Sequence, residues 1–478
     1  MMTVNTRFRK LFPFALLLVL GVFISWIAYY NEIWEGGGDN PWHYYFSRYA
    51  PTYPKYFLHH WGKPVFILFS TCFSQFGFYG LNIFNILCGL GSAYVTYKYC
   101  RLLNYTPSWF AILLVLFGPV YFLVLQTGLT EPLFSLLLIS TSYLLFKEKY
   151  IAATIIGSML MYSRTEGIFI ILLFAFYLLI TSKWKYIPLL GFSFIIYSLI
   201  GKLAGKDFLW FFTENPYKAA SVYGHGPWNY FFKRYDYIFG LPHLILMLSG
   251  IALLIFAIFK NKEVYRANTE KKHLKIFFLV FIPAFCFFFF HVYAWAMGKF
   301  ASAGLERVMA GIIPLTTILC MHTIHYLYNF SKNRYLQGAV WLVIGYFIIS
   351  ATFKNYSYPL KTFGSEAVER KASEWFKQYR KPNSIIYYAH VSIVFYCDYD
   401  PFSEENKECF SFPSDWNLPK DKTIYYVWDS GFTVQSCNMK LEDLARHPEF
   451  KQIKEFGDKE FNIKFFELNP SSTASPVQ

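Results

Sequence analysis

Long apolar runs, parted by short charged or turn-forming stretches, fill most of the chain. They fall near 11–30, 81–97, 107–126, 132–146, 151–162, 168–181, 187–201, 240–259, 276–296, 308–329 and 336–353. Many approach the roughly 20 residues that an α-helix needs to cross a hydrocarbon core about 30 Å thick. The pattern predicts eleven membrane-spanning helices. The fifth and sixth runs are separated by Ser163-Arg164-Thr165-Glu166-Gly167. A single helix over 151–181 would be about 46 Å long at about 1.5 Å per residue, and would carry Arg164 and Glu166 through its middle. Lysine pairs flank the stretch, Lys147 and Lys149 before it and Lys183 and Lys185 after it. Two short helices forming a hairpin keep both pairs on one side of the membrane.

Orientation follows from where the positive charges fall. With the N-terminus inside, the cytoplasmic pieces hold 17 Lys and Arg in 49 residues, and the outer pieces 11 in 109. Cytoplasmic loops carry this kind of excess. Arg7-Phe8-Arg9-Lys10 ahead of Leu11 to Tyr30 resembles a signal sequence without a cleavage site, which predicts an uncleaved first helix. Eleven crossings then place the C-terminal region outside.

That region has a different pattern. From about 354 there is no spanning run, and charged residues and turns such as Lys381-Pro382-Asn383 multiply. Residues 364–380 have helical periodicity, with Ala367, Val368, Ala372, Trp375 and Phe376 on one face. Ser384 to Ala389, Val391 to Cys397, Thr423 to Trp428 and Phe461 to Leu468 read as strands. The prediction is a transmembrane domain over 1–353, with a first outer loop at 31–80, and a small extracytoplasmic α/β domain over 354–478. Ser471 to Pro476 reads as a disordered tail.

Composition agrees with this class. Of 478 residues, 55% are hydrophobic, 22% aromatic and only 15% charged, outside the range of soluble domains. The net charge of +14 lies in clusters between apolar runs, so it speaks for membrane orientation and against nucleic-acid binding. The eight cysteines show no metal-ligand spacing. Cys397, Cys409 and Cys437 lie in the C-terminal region, which permits one disulfide there.

The unusual polar residues collect on the predicted outer side. Glu32, Glu35 and Asp39 lie in the first loop, where Gly36-Gly37-Gly38 precedes Asp39. A flexible backbone carrying a carboxylate at a bilayer surface suits a group that meets lipid-linked substrates. Glu131 lies at the outer turn Thr127 to Pro132, and Arg164 and Glu166 at the hairpin tip. His225 and Arg234 fall in a long outer loop, and Lys299, Glu306 and Arg307 at the start of the tenth helix. Charges at that depth usually face a partner or a cavity. Plainer roles exist. Asp39 or Asn40 suits the N-cap of a helix opening at Pro41. Glu131 suits a helix N-terminus, Arg164 and Glu166 suit each other, and Arg307 suits an interfacial anchor. His59 and His60, beside Trp61, read as interfacial residues rather than metal ligands. A carboxylate can act as general base on a hydroxyl, and an arginine can hold a lipid phosphate through two bonds. The combination fits group transfer from a polyprenyl-phosphate carrier.

Several segments in order resemble the GT-C superfamily of membrane glycosyltransferases that use polyprenyl-phosphate-linked sugars, in particular a bacterial mannosyltransferase-like branch. They are Gly38-Asp39-Asn40-Pro41-Trp42-His43-Tyr44, Gly62-Lys63-Pro64-Val65-Phe66, Thr130-Glu131-Pro132-Leu133-Phe134, Gly157 through Gly167, and Gly304-Leu305-Glu306-Arg307. The resemblance covers about 1–353. It implies a GT-C-like multi-pass helical fold and an inverting transfer with Asp39 as base. Arg307 and Lys299 would contact the donor phosphate, and Glu131, Arg164 and Glu166 would shape the cavity. Glu35, His43 and His225 are acceptor-side candidates. No metal ligand and no resident cofactor is implied, although many relatives have a second acid where this chain has Asn40. The C-terminal domain is similar to outer domains that some relatives carry, which implies help in binding the acceptor, whether lipid, glycan or protein. The expected location is a bacterial inner membrane. A flippase for a lipid-linked glycan would need polar residues at the bilayer midplane, and a non-catalytic assembly protein would leave the acidic first loop without a purpose.

Overall fold

In the computed structural model the described residues are 6–32, 38–218, 221, 223–260, 268–330, 333–362, 364–408, 418–419, 421–447 and 449–468. Glu35 and the tail beyond Leu468 lie outside them. The chain divides into two compact units. The first comprises Met1–Asn31 and Phe46–Pro359, the second Glu32–Tyr45 and Leu360–Gln478.

Every apolar run of the first unit is helical. Seven described helices are long and apolar enough to cross a membrane: Leu11–Tyr29, Gly77–Leu102, Trp184–Leu203, Leu241–Lys260, Lys272–Ala296, Glu306–Phe330 and Gln337–Asn355. Pro64–Ser74, Glu131–Phe146, Tyr150–Ser163 and Gly167–Ile180 are shorter apolar helices. The run expected over 107–126 is broken into Phe110–Leu116 and Pro119–Val124. Gly118 is extended there and Pro119 supplies no amide hydrogen, so the helix cannot continue through the pair. The stretch 151–181 is divided as expected, one helix ending at Ser163 and the next beginning at Gly167.

In an apolar setting, close backbone approach and buried hydroxyl bonds hold helices together. Gly250 lets the Leu241–Lys260 helix touch the backbone of its neighbour. A Cβ there would lie 2.0 Å from the Leu319 carbonyl oxygen. Ser135 bonds Tyr121 at 2.7 Å and Ser92 at 3.1 Å, and Ser158 bonds Ser193 at 2.7 Å, all buried.

The C-terminal part of the second unit is an α/β fold. Strands β1 (Ser384–Tyr388), β2 (Asn406–Glu408), β3 (Thr423–Asp429), β4 (Lys451–Gly457) and β5 (Asn462–Leu468) form a sheet in the order β2-β1-β3-β5-β4. β1 pairs parallel with β2 and β3, while β5 pairs antiparallel with β3 and β4. Alternation sends Ile385, Tyr387, Ile424, Tyr426, Trp428, Phe466 and Leu468 into one core with Leu444 and Phe450. On the other face the helix Gly364–Tyr379 lays Phe376 against Tyr425 and Phe465, with ring centres 5.1 and 5.0 Å apart. Both faces are covered, as parallel pairing requires.

One expected strand is a helix. Val391 to Cys397 is β-branched and aromatic enough to suggest a strand, but Ser392–Cys397 is helical. β1 and β2 run parallel, so the chain must cross back between them, and this segment is part of that crossover. Asp398 ends it in the left-handed conformation, with φ 57°. The short strand β2 and the exposed edge strand β4 were not expected, since neither has an alternating apolar pattern. Cys437 is disulfide-bonded and Cys397 is a free, buried thiol.

Candidate functional site

The turns at Thr127 to Pro132 and at Ser163 to Gly167 meet in the first unit. Arg164 is extended, with φ −155° and ψ 141°, and its amide still donates to Leu160, closing the preceding helix. Gly167 opens the next helix where a Cβ would lie 2.3 Å from the Leu160 carbonyl group, so any side chain there would force the hairpin apart. The turn directs the guanidinium onto two carboxylates. Nη1 lies 2.6 Å from Glu131 and Nη2 lies 2.8 Å from Glu166. Glu131 begins the helix Glu131–Phe146 and is only 2% exposed. Thr130 accepts a longer bond from Arg164 at 3.4 Å, and His291 lies 3.5 Å from Glu166. The expected pairing of Arg164 with Glu166 is therefore present, and Glu131 joins it.

Lys63, which was not singled out from the sequence, adds a second cation to this cluster. It precedes Pro64 in a left-handed conformation (φ 64°), and its side chain is buried. Its ammonium donates to Thr165 at 2.9 Å and to Tyr217 at 3.1 Å, with the Tyr217 ring 4.5 Å away. Nearby, His60 lies against Phe211 with ring centres 4.4 Å apart, and His59 stacks on Phe46 at 4.2 Å. Burial, reinforced by neighbouring cations, pushes His60 down to about 3 and His59 down to about 4. Both are neutral packing groups, and among the described residues no group of three or more His, Cys, Asp or Glu is placed to hold a metal ion.

The remaining candidate residues of the first unit stand in a separate arrangement. Glu306 accepts from Arg234 at 2.6 Å and from Tyr230 at 2.7 Å, and Arg234 lies over the Tyr237 ring. Arg307 follows Glu306 in the 3₁₀ turn Glu306–Ile312 and is half-buried. Lys299 and His225 are exposed. Their two loops are tied together by Ser221, whose amide donates to Gly298 at 2.8 Å.

Asp39 and His43 belong to the second unit. The Trp42 amide donates to the Gly38 carbonyl, so the helix Asp39–Tyr49 begins at Asp39, two residues before the expected start. Asp39 thus occupies the first turn, where the helix dipole favours a negative charge. It is half-buried, and Asn40 and His43 are buried. The segment is fastened to the C-terminal residues. Glu32 donates its amide to Leu360 and pairs with Lys361 at 2.7 Å, Trp42 packs on Phe402, and Tyr44 packs on Phe395. At the end of β2, burial pushes the Glu408 carboxyl up to about 7, with His390 acting in the opposite direction.

No protein-family model and no curated protein matches the chain. Its fold is nevertheless similar to solved structures. ArnT from Cupriavidus metallidurans bound to undecaprenyl phosphate aligns with a TM-score of 0.64 at 12% identity, covering 97% of this chain and 99% of that one. The oligosaccharyltransferase of Archaeoglobus fulgidus, tethered to an acceptor peptide, aligns with a TM-score of 0.48 at 13% identity, covering 86% of this chain and 61% of that one.

Proposed function

We propose that this chain, which has the GT-C fold, is a membrane glycosyltransferase that moves a sugar from a polyprenyl-phosphate donor to an extracytoplasmic acceptor with inversion at the anomeric carbon. The observation that carries the reading is the fold shared, over 97% of the chain, with a protein solved in complex with undecaprenyl phosphate. The acceptor is a lipid, glycan or protein bearing a hydroxyl or similar nucleophile.

In this scheme Asp39 takes the proton from the acceptor nucleophile as it attacks the anomeric carbon, and the bond from that carbon to the carrier phosphate breaks on the opposite face. The phosphate leaves with its negative charge, which a cation must meet. Arg307 serves there through its planar fork, with Lys299 contributing charge. Arg164 has a different role. Two carboxylates already hold its charge, so Glu131, Arg164 and Glu166 form a fixed wall rather than a phosphate clamp. Of the acceptor-side candidates, His225 is accessible and His43 is buried. The scheme calls on no resident cofactor, because base and cations are side chains.

The test is turnover by the purified protein in lipid discs with a radiolabelled polyprenyl-phosphate sugar. An enzyme consumes the glycolipid and releases the carrier phosphate, whereas a flippase relocates it intact. Replacing Arg307 by Ala should raise the donor KM by about 10-fold or more, and by Lys less, since Lys keeps the charge but loses the fork. An unchanged donor KM in Arg307→Ala reduces the residue to an interfacial anchor. The orientation has its own check in living cells. A membrane-impermeant thiol reagent should label a cysteine placed at 470 and spare one placed at 265. The reverse pattern would put Asp39 on the cytoplasmic side.

A further inference from the structure

Trp295 lies at the C-terminal end of the long apolar helix Lys272–Ala296, and two loops of the first unit converge on its indole. In one loop a Cβ built on Gly226 would lie 2.1 Å from Nε1 and 2.4 Å from Cε2. A carbon–carbon bond is about 1.5 Å long, so the Gly226 backbone itself touches the ring. In the other loop a Cβ on Gly304 would lie 2.7 Å from Cε2 and 2.9 Å from Cδ2, and Gly304 has a φ of 65°. Neither position has room for a side chain while the indole is there.

Hydrogen bonds fasten the same loops to the end of the helix. The Gly226 amide donates to the Trp295 carbonyl at 3.3 Å, and the Ser221 hydroxyl donates to the Ser302 carbonyl. The Tyr230 ring lies against the indole, with ring centres 5.9 Å apart, and its hydroxyl donates to Glu306 at 2.7 Å. Arg234 reaches the same carboxylate at 2.6 Å. The chain entering the turn Glu306–Ile312 is therefore fixed twice, at Gly304 by the indole and at Glu306 by Tyr230 and Arg234. Arg307 is the next residue. A tryptophan at the end of an apolar helix is commonly an interfacial anchor whose ring sits among lipid headgroups. Here two glycine backbones and a tyrosine ring pack on the indole instead.

We propose that Trp295 is a positioning residue for the donor phosphate: packed on Gly226 and Gly304, it sets where the guanidinium of Arg307 is presented. The proposal rests on the reading of Arg307 as the group that meets the carrier phosphate. A guanidinium holds a phosphate through paired, directional bonds. Its grip therefore depends on the placing of the turn that carries it, more than a point charge would.

The probe is undecaprenyl phosphate, a carrier phosphate of the class released by transfer, and the readout is its binding to the full-length protein in lipid discs. Gly226→Ala is the informative variant, because Gly226 has no positive φ and the added methyl group meets the indole first. It should weaken binding about 3- to 10-fold, no more than Arg307→Ala does, with a nearly unchanged unfolding midpoint. Trp295→Tyr keeps an aromatic anchor but lacks the fused ring that meets both glycines. It should weaken binding by a similar factor, whereas an anchor alone would leave binding unchanged, and it decides the matter if Gly226→Ala does not fold. Without the indole the added methyl group should be harmless, so Gly226→Ala with Trp295→Leu should bind no worse than Trp295→Leu alone. In the Arg307→Ala background none of these changes should weaken binding further. Losses that multiply with that of Arg307→Ala overturn the proposal, since they would not act through the arginine. Weakened binding in Arg307→Ala with wild-type binding in Gly226→Ala and Trp295→Tyr sinks the positioning role alone. Wild-type binding in Arg307→Ala sinks the phosphate reading and this proposal with it.

Discussion

Replacing Asp39 by Asn is expected to lower the rate of sugar transfer about 10²- to 10⁴-fold, the usual contribution of a positioned general base, with donor binding nearly unchanged. Asn keeps the shape of the side chain and removes only its capacity to take a proton. Asp39 also stands in the first turn of its helix, where its charge contributes about 0.3–1 kcal/mol through the dipole. That is a minor stability effect, so a rate loss of two orders with a nearly unchanged unfolding midpoint points to chemistry. A rate loss that tracks a large fall in the midpoint points to structure instead. Wild-type transfer by a well-folded Asp39→Asn protein would move the base elsewhere. Glu131 is then a poor second choice, because it is buried and already paired with Arg164 at 2.6 Å. Glu35 becomes the residue to replace next.

How much of this was legible in the sequence depends on the range of the interaction. The helical runs were legible because a membrane span must satisfy its backbone internally and expose apolar side chains. The break at Arg164 was legible because a single helix over 151–181 would be too long for one crossing. The pairing of Arg164 with Glu166 follows from their sharing one turn. Lys63 was not legible as a neighbour of that turn. Its partners Thr165 and Tyr217 lie 102 and 154 residues further on, and nothing local announces them. The same holds for the segment carrying Asp39. Its packing on Phe395 and Phe402 is a product of tertiary structure, whereas the local sequence announced only a helix start near Pro41. Residues 391–397 were misread for a related reason. Their composition favours a strand, but the parallel pairing of β1 with β2 requires a crossover, and context decided the matter.

The cluster at the hairpin tip carries the largest expected effect on stability. Arg164 bridges two carboxylates whose side chains are 3% and 17% exposed, and its own is 11% exposed. Breaking a buried ion pair by removing one partner typically costs about 3–5 kcal/mol, because the remaining charge is stranded, whereas neutralising the whole group costs far less. Arg164→Met would strand two carboxylates at once. It should lower the thermal unfolding midpoint in detergent steeply, with poor recovery of folded protein. Arg164→Lys should fall between, since an ammonium keeps the charge but cannot reach both acids with a planar fork. The decisive variant is the triple change Arg164→Met, Glu131→Gln, Glu166→Gln. Stranded charge as the cause predicts that the triple variant regains most of the lost midpoint. If it is no more stable than Arg164→Met alone, the arginine acts through packing, and the electrostatic account of the hairpin tip is wrong. If transfer stays lost in a triple variant that folds well, the wall of fixed charge is needed for the reaction as well as for the fold.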